Sequence, residues 1–220
     1  MRVAMRNYFS TYLLWSAQHS FGRAKEIEQA HTGKARFDIE HRAYVLTSVM
    51  SAAGFMEAMV NELFQDAHDS PGAGSSYVAP LSARTQELMR EWWALSGEGF
   101  ERVLEKCQLL LVFAEKPKLD KGAQPYQDGQ LLICLRNKVM HYRPEWVAVD
   151  VQHDLEKSLR GKFADNALMA GSKNPWWPDH ALGARCAEWA YRSSKALADR
   201  VTSELGITPN YQAQTEWAFP

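Results

Sequence analysis

Several common signatures are missing from this 220-residue chain, and each absence closes a route to function. It has three cysteines, Cys107, Cys134 and Cys186, which are odd in number, far apart and free of any CxxC pair. A disulfide framework and a zinc site are both poorly supported. Buried, reduced thiols are the ordinary use of such residues. The seven histidines form neither HxxxH nor HExxH, so no metal and no cofactor is expected. Charge of neither sign dominates: 25 Lys and Arg face 26 Asp and Glu, for a net charge of −1. A generally basic nucleic-acid binder is thus excluded, and any such contact must rest on a local patch. No uninterrupted apolar run approaches the length of a membrane span. The N-terminal tract MRVAMRNYFSTYLLWSAQHSF is interrupted by Asn7, Ser10, Thr11, Ser16, Gln18 and His19, and no small-residue cleavage site follows. It is expected to be an amphipathic first helix of a cytoplasmic protein, with no membrane partner. Internal repeats and linker-like stretches are absent too, so one domain over residues 1–220 is expected.

What is present is helical periodicity. With 46% hydrophobic and 23% charged residues the chain can bury a core without covalent staples. A first helix within residues 1–35 runs from about Val3 to His31 and is broken at Gly33 to Arg36. A second spans Asp38 to His68, with Val45, Val49, Ala52, Met56, Met59, Val60 and Leu63 forming its apolar stripe. Residues 69–76 form a loop. Ser82 caps a third helix carrying Thr85 to Leu95, and Ser96 to Gly99 break the pattern. A fourth runs from Phe100 to Ala114. A polar loop over Lys116 to Pro125 precedes a fifth, Pro125 to Tyr142, in which Leu131, Leu135 and Val139 face the core. Pro144 stops it, because the residue before proline disfavours helical dihedrals. A short helix is expected within Val149 to Leu159. A last one starts at Pro178–Asp179 and ends at Leu205 before Gly206. Residues 206–220 form an irregular tail containing Trp217 and Phe219. The fold class is all-α, a multi-helix bundle with long antiparallel helices.

The segment richest in chemistry is Arg136-Asn137-Lys138-Val139-Met140-His141. Five positions on an ideal helix separate two side chains by about 140°, so Arg136 and His141 converge only if His141 sits on a last turn that frays or kinks. Arginine is permanently cationic and grips phosphate oxygens as a fork, and imidazole is the side chain suited to moving protons near neutral pH. Together they could activate a ribose 2′-hydroxyl and stabilise a phosphorane without metal. Asn137 could orient the histidine or hold the turn, while Lys138 and Arg143 add positive charge. The spacing alone is a weak signal, because Arg36 to His41 repeats it. That copy spans a loop-to-helix junction, lacks the asparagine and carries Asp38 and Glu40, so it is read as accidental.

The stretch LRNKVMHYRPEW (135–146) resembles the signature of the HEPN superfamily, whose ribonuclease members carry R-x4–6-H, commonly with Asn after Arg. The helix reading SVMSAAGFMEAMVNELF (48–64) is similar to the small-residue-rich helix that precedes the motif in that superfamily. These pieces cover about thirty residues. The resemblance implies an all-α, metal-independent ribonuclease acting as a homodimer, with a composite site where two motifs meet. It also implies a toxin or antiviral-defence role, with RNA as substrate and an antitoxin as a possible partner. Arg136 and His141 match the catalytic pair, and Asn137 its frequent neighbour. Lys138, Tyr142 and Arg143 are candidates for substrate binding. Some members carry Tyr two residues after the His; here Arg143 holds that place and Tyr142 adjoins the His. Since many members lack nuclease activity, a non-catalytic helical interaction or ligand-binding module is the alternative.

Glu57 and Asn61, four apart on the second helix, are candidate partners of the Arg or His, or a local polar pair. Trp92–Trp93 and Trp176–Trp177 could stack on bases, but packing is the commoner use of tryptophan. Lys116, Lys118 and Lys121 are read as a solvated loop.

Overall fold

The computed structural model describes residues 6–69, 77–96, 102–146 and 152–214. It is all-α, in the order α1 (Phe9–Ala30), α2 (Ile39–Asp69), α3 (Ala83–Ser96), α4 (Val103–Phe113), α5 (Tyr126–Met140), α6 (Asp154–Leu159), α7 (Ala184–Leu205) and α8 (Asn210–Gln214). A 3-10 turn at Ala167–Met169 and a π-type turn at Trp176–His180 lie between α6 and α7.

The chain divides into two compact units, each drawn from separate parts of the sequence. Unit 1 comprises Met1–Leu13, Gly54–Gln127 and Ala196–Pro220, and unit 2 comprises Leu14–Ala53 and Asp128–Lys195. No linker marks the division, because the chain passes from one unit to the other inside α1, α2, α5 and α7.

The α2 stripe is as its periodicity requires: Val45, Val49, Ala52, Met56, Met59, Val60 and Leu63 are all buried. Among the described residues, α2 alone is long and apolar enough to cross a membrane. Burial of that stripe within the fold accounts for its hydropathy. In unit 1 the buried set includes Phe55, Phe64, Met89, Trp93, Leu110 and Tyr211. Trp93 stacks on Phe64 at 5.6 Å and donates its indole N–H to Gln65 at 2.7 Å, so this tryptophan pair serves packing. In unit 2, Leu14, Ala17, Leu132, Leu135, Trp177 and Ala187 are buried.

Several element boundaries move, each for a local reason. The α1 N-terminus lies at Phe9, where Glu62 accepts hydrogen bonds from the Phe9 and Ser10 amides. Ser82 accepts from the Thr85 amide at 3.1 Å, as expected of the α3 cap. The α4 helix starts at Val103, where Glu105 reaches back to the Arg102 amide; Phe100 lies outside the described residues. Likewise α6 begins only at Asp154, after His153, whose Nδ1 accepts from the Leu155 amide.

The largest correction concerns α7, which begins at Ala184 rather than at Pro178–Asp179. The Asp179 carboxylate is taken by Arg42 at 3.1 Å and Asn174 at 2.8 Å, while Glu28 of α1 accepts from the Ala184 amide at 2.7 Å. The cap is thus supplied from a distant part of the chain. The other end is as expected: Gly206 has φ +67°, and the Ile207 amide returns to the Thr202 carbonyl at 2.9 Å, closing a Schellman motif. The tail is not wholly irregular. Residues Asn210–Gln214 form α8, and Tyr211 is buried against Phe55 and donates to Asp199 at 3.1 Å. Trp217 and Phe219 lie outside the described residues.

Candidate functional site

The chemistry-rich segment lies in unit 2, at the end of α5. Gly129, Leu132 and Leu135 are buried along this helix, while Leu131 and Val139 are half-buried. The core-facing stripe is therefore rotated from the expected Leu131–Leu135–Val139 face. That rotation leaves Arg136 half-buried at the flank of the stripe and Asn137 exposed. It also turns Cys134 outward, against the expectation that all three thiols are buried; Cys107 and Cys186 are buried. Burial raises the Cys107 thiol to about 12 and pushes Cys186 up as well.

The helix stops at Met140, and His141 is the first residue beyond it. Its amide donates to the Asn137 carbonyl at 2.9 Å, so the backbone at His141 is held by one more helical hydrogen bond while its side chain is exposed. Tyr142 and Arg143 are exposed, with Tyr142 at 51%, Met140 at 59% and Trp146 fully open.

Lys138 has a specific partner. Its ammonium lies 2.9 Å from Glu145 Oε1 and 3.2 Å from Oε2, and Glu145 Oε1 is also 3.3 Å from His153 Nε2. The hydrogen bond from Lys138 is the foremost influence holding the Glu145 carboxyl below the usual range. His153 stacks on the buried Trp177 with ring centroids 5.8 Å apart. Beside this bridge is a groove of about 790 Å³, lined by Leu131, Cys134, Asn137 and Lys138 of α5, Glu145 and His153 of the connection, and Leu155 and Ser158 of α6. Asn137 and Lys138 line it, whereas Arg136 and His141 do not.

Both members of the other R-x4-H copy are engaged by carboxylates nearby. Arg36 pairs with Asp38 at 3.1 Å, and His41 is buried, with Nε2 2.9 Å from Glu28. Glu57 and Asn61 belong to unit 1. Asn61 accepts from the buried Lys106 ammonium at 2.8 Å, which also lies over the Trp93 ring at 5.3 Å; Glu57 is exposed. Asn61 is therefore occupied in satisfying a buried cation, a use that its helical spacing did not announce. Trp176 and Trp177 are buried, and Lys116, Lys118 and Lys121 are solvated. Among the described residues, no group of three or more His, Cys, Asp or Glu side chains converges on a point where a metal could sit.

Sequence reasoning missed Glu145 and His153. The bridge joins Lys138 to residues seven and fifteen positions further along the chain, and no periodic pattern reports such a closure. Compared with family models, with curated proteins and with solved structures, the chain matches none.

Proposed function

We propose that this chain is a HEPN-type, metal-independent endoribonuclease that acts as a homodimer on RNA. The observation that carries the proposal is the exposed imidazole of His141 on the first residue past α5, with Arg136 and Asn137 in the preceding turn. Such a histidine can approach a strand, unlike His41, which is buried on Glu28. In this reading one His141 takes the proton from a ribose 2′-hydroxyl, whose oxygen attacks the adjacent phosphorus. The bond to the 5′-oxygen breaks, and the leaving oxygen receives a proton from the second copy's imidazole. Arg136 binds a non-bridging phosphate oxygen as charge accumulates. The products carry 2′,3′-cyclic phosphate and 5′-hydroxyl ends. A toxin or antiviral-effector role, with an antitoxin partner, is suggested by the sequence resemblance alone.

The test is cleavage of single-stranded RNA by purified protein in the presence of a chelator, with end-group analysis. His141→Ala is expected to lower kcat by roughly 100-fold or more, the usual contribution of a general acid–base group, and Arg136→Ala by a similar factor, the cost of losing a contact to the charge that develops in the transition state. Cleavage that requires added magnesium or zinc defeats the mechanism, and variants that cut like the wild type defeat the site.

A second reading is favoured by one feature of the same helix end. Met140, Tyr142 and Trp146 expose apolar surface close together in the chain, as a protein-binding surface does. In that reading the segment is a non-catalytic docking module. Its outcome in the same assay is no cleavage by the wild type under any condition.

A further inference from the structure

A lysine–carboxylate bridge closes a short loop of chain around His141. Lys138 is three residues before the histidine and Glu145 four residues after it, and both carboxylate oxygens of Glu145 approach the ammonium, at 2.9 and 3.2 Å. Closing a loop this short removes much of its freedom, and Pro144 within it fixes one more backbone dihedral. The far side of the clamp is tied to the core. Glu145 Oε1 is 3.3 Å from His153 Nε2, His153 Nδ1 accepts from the Leu155 amide at 3.1 Å, and the ring stacks on Trp177, which is 2% exposed. A chain of fixed contacts thus runs from buried tryptophan to histidine to carboxylate, and ends at the strap that carries His141.

We infer that Glu145 is a positioning residue, whose bridge to Lys138 and His153 sets the placement of the His141 imidazole. The inference rests on the proposed ribonuclease reading for its consequence in catalysis. Surface ion pairs of this exposure contribute little to stability. The clamp acts instead on geometry, where a displacement of about one ångström costs far more in rate than in folding. Lys138 is accordingly a structural partner of the strap and not a phosphate contact. The depressed Glu145 carboxyl keeps the clamp charged down through mildly acidic pH.

The experiment compares Glu145→Ala, Glu145→Gln and the charge-swapped Lys138→Glu/Glu145→Lys protein. Each is measured for RNA cleavage and for the His141 ring-proton NMR signal, with circular dichroism confirming the fold. Loss of the carboxylate is expected to lower kcat about tenfold while KM stays within about twofold, and to move the His141 signal. The swapped pair is expected to restore both in part, through the Lys–carboxylate contact alone, because His153 Nδ1 accepts from the Leu155 amide and its Nε2–H finds no acceptor in a lysine at 145. Unchanged kcat or an unmoved signal in Glu145→Ala overturns the inference, as does a swapped protein whose His141 signal lies no nearer the wild type's than that of Glu145→Ala. Should the wild type cut no RNA, the ribonuclease reading fails by itself. The clamp is then judged on the His141 signal alone, standing if the signal moves in Glu145→Ala and comes part of the way back in the swapped protein, and falling otherwise.

Discussion

Gly183 leaves no room for a methyl group. A Cβ placed there would come within 2.6 Å of the Asn166 Cα, 2.8 Å of the Asn166 Cβ and 3.0 Å of Glu28 Oε1. The glycine lets the Asn166 loop and the Glu28 carboxylate meet at the start of α7, where Glu28 Oε1 accepts from the Ala184 amide at 2.7 Å and faces His41 Nε2 at 2.9 Å. A carboxylate on the first amides of a helix is favoured by the helix dipole, and here it also satisfies a buried histidine. Gly183→Ala is expected to destabilise the protein by about 2 kcal/mol, since two of the clashing atoms are backbone or Cβ and cannot rotate away. Urea unfolding checks this; a loss below about 0.5 kcal/mol, the level of an ordinary surface change, would show that the loop relaxes freely. The same cluster marks a limit of sequence reading. The Arg36–His41 spacing was legible as a motif copy, and its charged neighbours argued against function. That His41 is spent on Glu28, thirteen residues earlier, depends on a fold-level meeting that no local pattern encodes.

At the scale of the helix, the periodic parts of the fold were the legible parts. The α2 stripe, the Ser82 cap and the Gly206 stop follow from side-chain spacing and backbone preference within one or two turns. The α7 start was misplaced because its cap comes from α1, and the rotation of α5 was missed because its Leu-rich sequence fits two overlapping faces. The α1 N-terminus follows the rule of α7, being capped by Glu62 of α2 through the Phe9 and Ser10 amides and the Ser10 hydroxyl. Burial is the largest influence on Glu62 and raises its carboxyl above the ordinary 4.5, although the Ser10 bonds oppose it. A carboxyl raised in the folded state binds its proton more tightly there than in the unfolded chain. Its contribution to stability is therefore fully present below the unfolded value and is lost as pH rises through the folded value. Glu62→Gln removes this titration while keeping an acceptor for the α1 amides. The wild type is expected to lose stability relative to Glu62→Gln as pH rises from about 4 to 7, the range above an ordinary carboxyl. Parallel stability–pH curves for the two proteins would refute this assignment.

Over the whole molecule, the two compact units share continuous helices, and the three thiols are placed to report on them. Cys107 belongs to unit 1 and is buried, Cys186 belongs to unit 2 and is buried, and Cys134 is exposed on α5. The sequence showed three unpaired cysteines but not which of them faces solvent, because residue 134 borders the Leu131–Leu135–Val139 face, and the rotation of α5 that turns it outward is set by packing. A thiol reagent added to the native protein is expected to modify Cys134 promptly and to leave Cys107 and Cys186 unreacted, since burial both shields these thiols and disfavours their thiolates. Denaturant then tests how the units are coupled. Because α1, α2 and α7 each contribute residues to both units, melting one unit removes turns from helices that the other requires, and the cost of re-nucleating the remainder opposes separate unfolding. Cys107 and Cys186 are therefore expected to become reactive over the same denaturant range, with midpoints that coincide. Mass spectrometry of pulse-labelled protein reads the two sites independently. A range of denaturant in which one is fully labelled while the other stays protected would establish that the units unfold separately, despite the helices that run through both.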